Sequence, residues 1–263
     1  MKNNIKIIVA THKEYEMPKD KMYLALQVGA EGKDDLGFQK DNEGDNISEK
    51  NPYYSELTAL YWAWKNLDAD YIGLVHYRRH FVSKNKKHKG KESRVNYAIT
   101  QKEVEKLFQD TDVILPKKRN YYIENLYSHY KHTLYAETLD ETRNILEEKY
   151  PEYLKEFERL RTRTSAHMFN MFIMKKEILD SYCTWLFDIL FELEKRIDPR
   201  EYEPFHARYL GRVSEYLLDI WINTNNIGYK EAGVLNIEGI NWLKKGSAFL
   251  MAKFVGRKYE KSF

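Results

Sequence analysis

Residues 71–81 read Tyr71-Ile72-Gly73-Leu74-Val75-His76-Tyr77-Arg78-Arg79-His80-Phe81. The run from Tyr71 to Val75 has no polar alternation, which predicts a short strand buried on both faces, as in a parallel sheet. Ligands of open α/β sheets lie beyond the carboxyl ends of the strands. That rule makes the residues from His76 to His80 candidates for ligand contact. Two similar runs lie on either side. Ile5 to Ala10 ends in Thr11-His12-Lys13, and Val113-Ile114-Leu115 leads into Pro116-Lys117-Lys118-Arg119. Met168 to Met174 reads as a further strand. Between the strands, apolar spacing predicts helices over 55–67 (capped by Ser55), 176–196 and 212–225. Residues 29–54, with four glycines, Pro52 and many Asp and Asn, predict a long loop. Helices alternating with short apolar strands predict an α/β fold with a mainly parallel sheet, in one domain over 1–240.

Composition agrees with a folded globule. The 263 residues are 43% apolar and 32% charged, enough to bury a sizeable core and to exclude the disordered class. No run of about 18 apolar residues predicts a membrane span, and the first residues carry no secretory h-region. Cys183 is the single cysteine, so no intrachain disulfide or thiolate cluster can form, and a cytoplasmic setting is expected. Formal charge is +3, but residues 241–263 hold six cations and one acid, leaving the rest at −2. Aromatic and aliphatic residues interleave with those cations. Such a tail suits either an anionic membrane interface or a helix docked on the protein's own core. A basic run from Ser83 to Arg94 reads as a loop that either grips phosphate or is simply solvated. Nucleic acid is disfavoured, because no aromatic-basic signature of known modules is present.

Three strand ends thus bring together Thr11 and His12, then His76, Tyr77, Arg78, Arg79 and His80, then Lys117, Lys118 and Arg119. Cations and hydrogen-bond donors of this kind suit an anionic ligand with several phosphate oxygens, since an arginine fork holds phosphate bidentately. The alternative is that one arginine of the doublet pairs with a carboxylate and the other is solvated. Asp68-Ala69-Asp70 has the form of a divalent-metal clamp, but it precedes its strand and reads as a turn at the wrong edge of the sheet. His129 and His132 share a helix face without an evident third metal ligand. Phosphate-loop, dinucleotide, zincin and hydrolase motifs are absent.

The segments 7–13, 51–59 (Asn-Pro-Tyr-Tyr-Ser-Glu-Leu-Thr-Ala), 71–81, 170–174 and 211–215 (Gly-Arg-Val-Ser-Glu) together resemble a bacterial family. It is catalogued as domain of unknown function 4422, found in capsule, exopolysaccharide and O-antigen gene products. The resemblance spans about residues 5–235, and the strand followed by His-Tyr-Arg-Arg is its most specific element. It implies a GT-A-like fold, a uridine diphosphate sugar donor and a lipid-linked glycan acceptor. A non-catalytic sugar-nucleotide or glycan-binding module on the same fold is the alternative. It also implies that Arg78 and Arg79 stand where metal-dependent relatives carry their carboxylates. On that footing the doublet would stabilise the departing diphosphate, with no cofactor expected and a divalent metal not favoured. Glu215 is the first candidate for a base and His76 the second, although a carboxylate at a helix start can equally be a cap. Asn170, placed on its strand, together with Arg212, Ser214, Tyr77 and Lys117, completes the expected donor-binding set.

Overall fold

The computed structural model describes residues 3–85 and 93–238. Among the described residues are eleven strands: β1 (Ile5–Thr11), β2 (Tyr23–Gln27), β3 (Gln39–Lys40), β4 (Tyr71–His76), β5 (Arg79–Phe81), β6 (Val113–Pro116), β7 (Arg119–Asn120), β8 (Ser165–Ala166), β9 (Phe172–Lys175), β10 (Lys230–Ala232) and β11 (Val234–Asn236). Eight α-helices accompany them: α1 (Asn51–Tyr54), α2 (Leu57–Asn66), α3 (Gln101–Leu107), α4 (Leu126–Thr133), α5 (Ala136–Lys149), α6 (Leu154–Glu158), α7 (Lys176–Arg196) and α8 (Tyr209–Thr224). The main sheet runs β10-β6-β9-β4-β1-β2-β3, with β5 hairpinned from the end of β4 and carrying β11. All pairs along that path are parallel except those of β9, which is antiparallel to both β4 and β6. The result is a mixed, mainly parallel GT-A-like sheet.

Alternation along the strands assigns the two faces. Ile8 and Ala10 of β1, Ile72 and Leu74 of β4, Val113 and Leu115 of β6, and Phe172 and Met174 of β9 point to one core, which α2, α5, α7 and α8 cover. Ile7, Val9, Val75, Ile114 and Ile173 point to a smaller core on the opposite face, under Val104 of α3. Because both faces are covered, the central strands carry no polar alternation. Gly73, in the middle of β4, sits where the neighbouring chains close in: an added Cβ would meet Ile173 Cγ1 and the Phe172 carbonyl oxygen, each at 3.0 Å.

Several expectations need correction. The strand expected from Met168 begins only at Phe172, because Phe169 and Asn170 adopt φ of +81° and +51° and form a tight turn. Asn170 therefore lies in a turn and not on a strand. Ser55 does not cap the second helix: it has φ +54°, follows the end of α1, and makes no capping bond. The region 29–54 is not all loop, since it contains β3, a 3-10 turn at Ser48–Lys50 and α1. Helix α8 starts at Tyr209, three residues before the expected start, which places Glu215 almost two turns inside it. The tail 241–263 and the middle of the basic loop, 86–92, lie outside the described residues.

Candidate functional site

The hairpin joining β4 to β5 turns at Tyr77 and Arg78, between the paired residues His76 and Arg79. The Tyr77 ring is buried and serves as a hub. His12 meets it edge-on with centroids 5.3 Å apart, Lys13 Nζ lies 5.2 Å from its centre, and Arg78 Cζ lies at the same distance. Thr11, wholly buried at the end of β1, donates its hydroxyl to the Lys13 carbonyl at 2.6 Å and so fixes the turn that presents His12. Burial holds the His12 pKa below the usual imidazole range, and Lys13, Arg78, Lys33 and Arg208 add to the effect. A neutral imidazole set among cations is an arrangement that an incoming anion relieves.

Arg78 and Arg79 are not equivalent. Arg78 reaches Glu238 at 3.5 Å with its side chain 41% exposed, so this contact is a weak surface pair. Arg79 lies over the Phe169 ring, 4.6 Å from its centroid. Burial lowers its pKa, Glu215 and Glu56 oppose that fall, and Arg78 and Arg119 reinforce it. Arg208 donates from Nε to Ser55 Oγ at 2.9 Å, and it too is lowered by burial against the pull of Glu56. Arg212 packs over the Phe205 ring, with its Nη1 3.9 Å from Glu215 Oε1. Arg119 lies over the Tyr121 ring. Five arginines thus gather at the carboxyl edge of the sheet around two carboxylates, Glu56 and Glu215, which creates a positive focus for an anionic ligand.

The turn at Phe169 and Asn170 ties this cluster together. The Phe169 N–H donates to Glu215 Oε2 at 3.1 Å, and its carbonyl oxygen accepts from His76 Nε2 at 2.7 Å. His76 therefore carries its proton on Nε2, which makes Nδ1 the basic nitrogen of the neutral ring. Burial lowers the His76 pKa despite the opposing charge of Glu56. Asn170 Nδ2 donates to Glu56 Oε1 at 2.7 Å and to the Gly211 carbonyl at 3.0 Å, while Asn170 Oδ1 accepts from Ser214 Oγ at 2.9 Å. Burial works to raise the Glu56 pKa, but His76, the Asn170 amide and Arg208 outweigh it and hold the carboxylate ionised. Two successive non-glycine residues with positive φ cost conformational energy, and these contacts on all sides hold them in place.

Of the residues expected from sequence, His12, His76, Tyr77, Arg78, Arg79, Arg212 and Glu215 line one cluster. Thr11, Asn170 and Ser214 lie beneath it as buried supports, their side chains already engaged with protein groups. Lys117 stands apart. Its N–H donates to the Ala232 carbonyl, and its exposed side chain forms no ion pair among the described residues. Glu215 is not at a helix start, so the capping alternative falls. Asp68 and Asp70 form a turn at the amino edge, where the Asp68 carbonyl and the Asp70 carboxylate both bind Asn4. His129 and His132 share a buried carboxylate, Glu124, which both reach through Nδ1. Among the described residues, no three His, Cys, Asp or Glu side chains are placed to hold a metal ion.

Sequence reasoning missed Glu56, Arg208 and Phe169 as members of the site. Glu56 was visible only as one letter of the segment 51–59, inside a run whose apolar spacing reads as a helix. Arg208 precedes the expected helix start. Phe169 contributes through its backbone, which no side-chain pattern announces.

A search of the solved structures finds the apo structure of WbbM, a bifunctional glycosyltransferase, 32% identical with a TM-score of 0.77. The likeness covers 90% of this chain and 46% of that one, so the chain spans about half the length of that protein. A search of curated proteins finds no match. The profile of the family described as domain of unknown function (DUF4422) matches residues 6–226. With most of its length matched, and with the fold of a glycosyltransferase relative, the chain belongs to the DUF4422 family.

Proposed function

We propose that this protein is a glycosyltransferase that moves a hexose, galactose or galactofuranose, from a uridine diphosphate sugar to a lipid-linked glycan in capsule or exopolysaccharide synthesis. The observation that carries the reading is the gathering of Arg78, Arg79, Arg119, Arg208 and Arg212 around Glu56, Glu215 and His76. In the reaction the bond from the sugar's anomeric carbon to the phosphate oxygen breaks, and its electron pair leaves on the diphosphate. The half-buried guanidinium of Arg79, aided by its neighbours, meets that developing charge where a divalent ion would otherwise do so. The acceptor hydroxyl oxygen forms the new bond, and its proton passes to a base. Glu215 is our first assignment for that base, since one of its oxygens is held by the Phe169 N–H and the carboxylate is thereby oriented. His76 is the second. Work on a lipid-linked acceptor would place the protein at the inner face of the cell membrane, with residues 241–263 toward anionic lipid.

The test incubates the purified chain with a panel of uridine diphosphate sugars and follows release of uridine diphosphate, with and without EDTA. Release that survives EDTA and falls steeply in Arg79→Ala supports the proposal. Release abolished by EDTA and restored by Mn²⁺ refutes the arginine mechanism. Tight donor binding without turnover on any acceptor refutes the enzyme.

A further inference from the structure

Among the described residues, large apolar side chains are almost all buried or half-buried; the exposed ones are Tyr122 at 86%, Ile123 at 56% and Tyr135 at 38%. Two of the three are adjacent, on the segment linking β7 to α4. Their exposure is built in. Tyr122 has φ +48°, a conformation that bulky residues avoid, and the chain on both sides is fastened. The Tyr121 N–H donates to the Thr164 carbonyl and the Leu126 N–H to the Arg163 carbonyl, each at 2.8 Å. Glu124, just beyond the tip, is buried and bound by His129 and His132. The tip therefore projects as a supported wedge.

Charge and position say what it meets. Residues 117–123 carry three cations, Lys117, Lys118 and Arg119, and no acid, with both lysines exposed. β6, which leads into this segment, is antiparallel to β9, as is β4. The wedge thus leaves the sheet at the same edge as His76 and the arginine cluster. Apolar and aromatic side chains flanked by lysines suit the boundary between headgroups and acyl chains of an anionic bilayer. We propose that Tyr122 and Ile123 insert into an anionic membrane surface, with Lys117 and Lys118 on its headgroups, so that the site opens toward the plane that holds a lipid-linked acceptor. This inference rests on the lipid-linked reading of the acceptor, while its test needs no turnover.

The full chain carrying Tyr122→Cys is labelled with an environment-sensitive fluorophore, a selective reaction because Cys183 is buried. It is mixed with vesicles of phosphatidylcholine, alone or with phosphatidylglycerol. A blue shift with the anionic vesicles only, quenched by brominated lipid, is the expected result. A water-like spectrum while the protein sediments with vesicles overturns the proposal, because another segment then does the docking. A shift that grows with protein concentration in the absence of lipid overturns it too, in favour of a protein partner. As a second measurement, Tyr122→Ser with Ile123→Ser should weaken vesicle binding about tenfold, with unchanged melting and unchanged hydrolysis of soluble donor. Loss of donor hydrolysis in the parent, with the blue shift intact, would refute the enzyme reading and leave the surface standing.

Discussion

The side-chain amide of Asn170 donates to Glu56 at 2.7 Å, joining a turn before β9 to the start of α2 across 114 residues of sequence. The same amide reaches the Gly211 carbonyl, and its oxygen accepts from Ser214, so one side chain connects three elements. Asn170→Ala removes these bonds and places a Cβ-bearing residue without local compensation at φ +51°. The expected loss is ~2–4 kcal/mol of folding stability. Asn170→Gly should fall between alanine and wild type, because glycine takes the backbone conformation freely. Urea denaturation of the three proteins checks this; an alanine variant within about 0.5 kcal/mol of wild type counts against the role.

The unequal surroundings of the arginine doublet separate its two members: Arg79 is desolvated over Phe169, whereas Arg78 meets Glu238 at the surface. Arg79→Ala should lower kcat by about 10²–10³, the size seen when one preorganised charge donor is removed. Arg79→Lys should recover little, since an ammonium cannot reproduce the planar fork over Phe169. Arg78→Ala, which removes a half-exposed side chain, should mainly raise the donor KM. Steady-state kinetics with the donor found by screening decides, and equal effects at both positions would contradict the asymmetry.

His80, on β5, is fully buried, and burial pushes its pKa down to about 4. The unfolded imidazole takes its proton near pH 6.5, before the folded one can. Stability is therefore unaffected above that pH and falls as the pH drops from about 6.5 toward 4, by up to ~3 kcal/mol. His129, also held by burial at about 4, acts in the same window. Melting temperature against pH should slope accordingly, and His80→Leu should flatten the slope. A parallel slope in the variant would assign the effect elsewhere.

Gly73→Ala should cost about 1–3 kcal/mol, because one of the two atoms at 3.0 Å from the new Cβ is a backbone oxygen that cannot turn aside. Thermal unfolding measures it. No change would mean that β4 and β9 can separate locally.

The strands β1, β4 and β6 and the long helix α7 were legible because burial on both faces, or along one helical stripe, imposes a pattern on consecutive residues. β2 and the start of β9 were not legible. β2 is half-buried over its first three residues, and Phe169 and Asn170 are apolar and polar in an order that a strand would tolerate. Their turn exists because of distant partners: Glu215, His76, Glu56 and Ser214. The same limit applies to the site. The arginine doublet stands in plain sight after a strand, whereas Glu56 and Arg208 join it only when the chain at Ser55 and Glu56 comes up against the start of α8.

Phe169 gives its N–H to Glu215 and its carbonyl to His76. Both residues proposed for the base are thus hung on a single amino acid, and a displacement of that residue shifts the two in concert. Redesigning this protein for another acceptor cannot tune either of these candidates alone; the pivot has to be kept, or both have to be rebuilt.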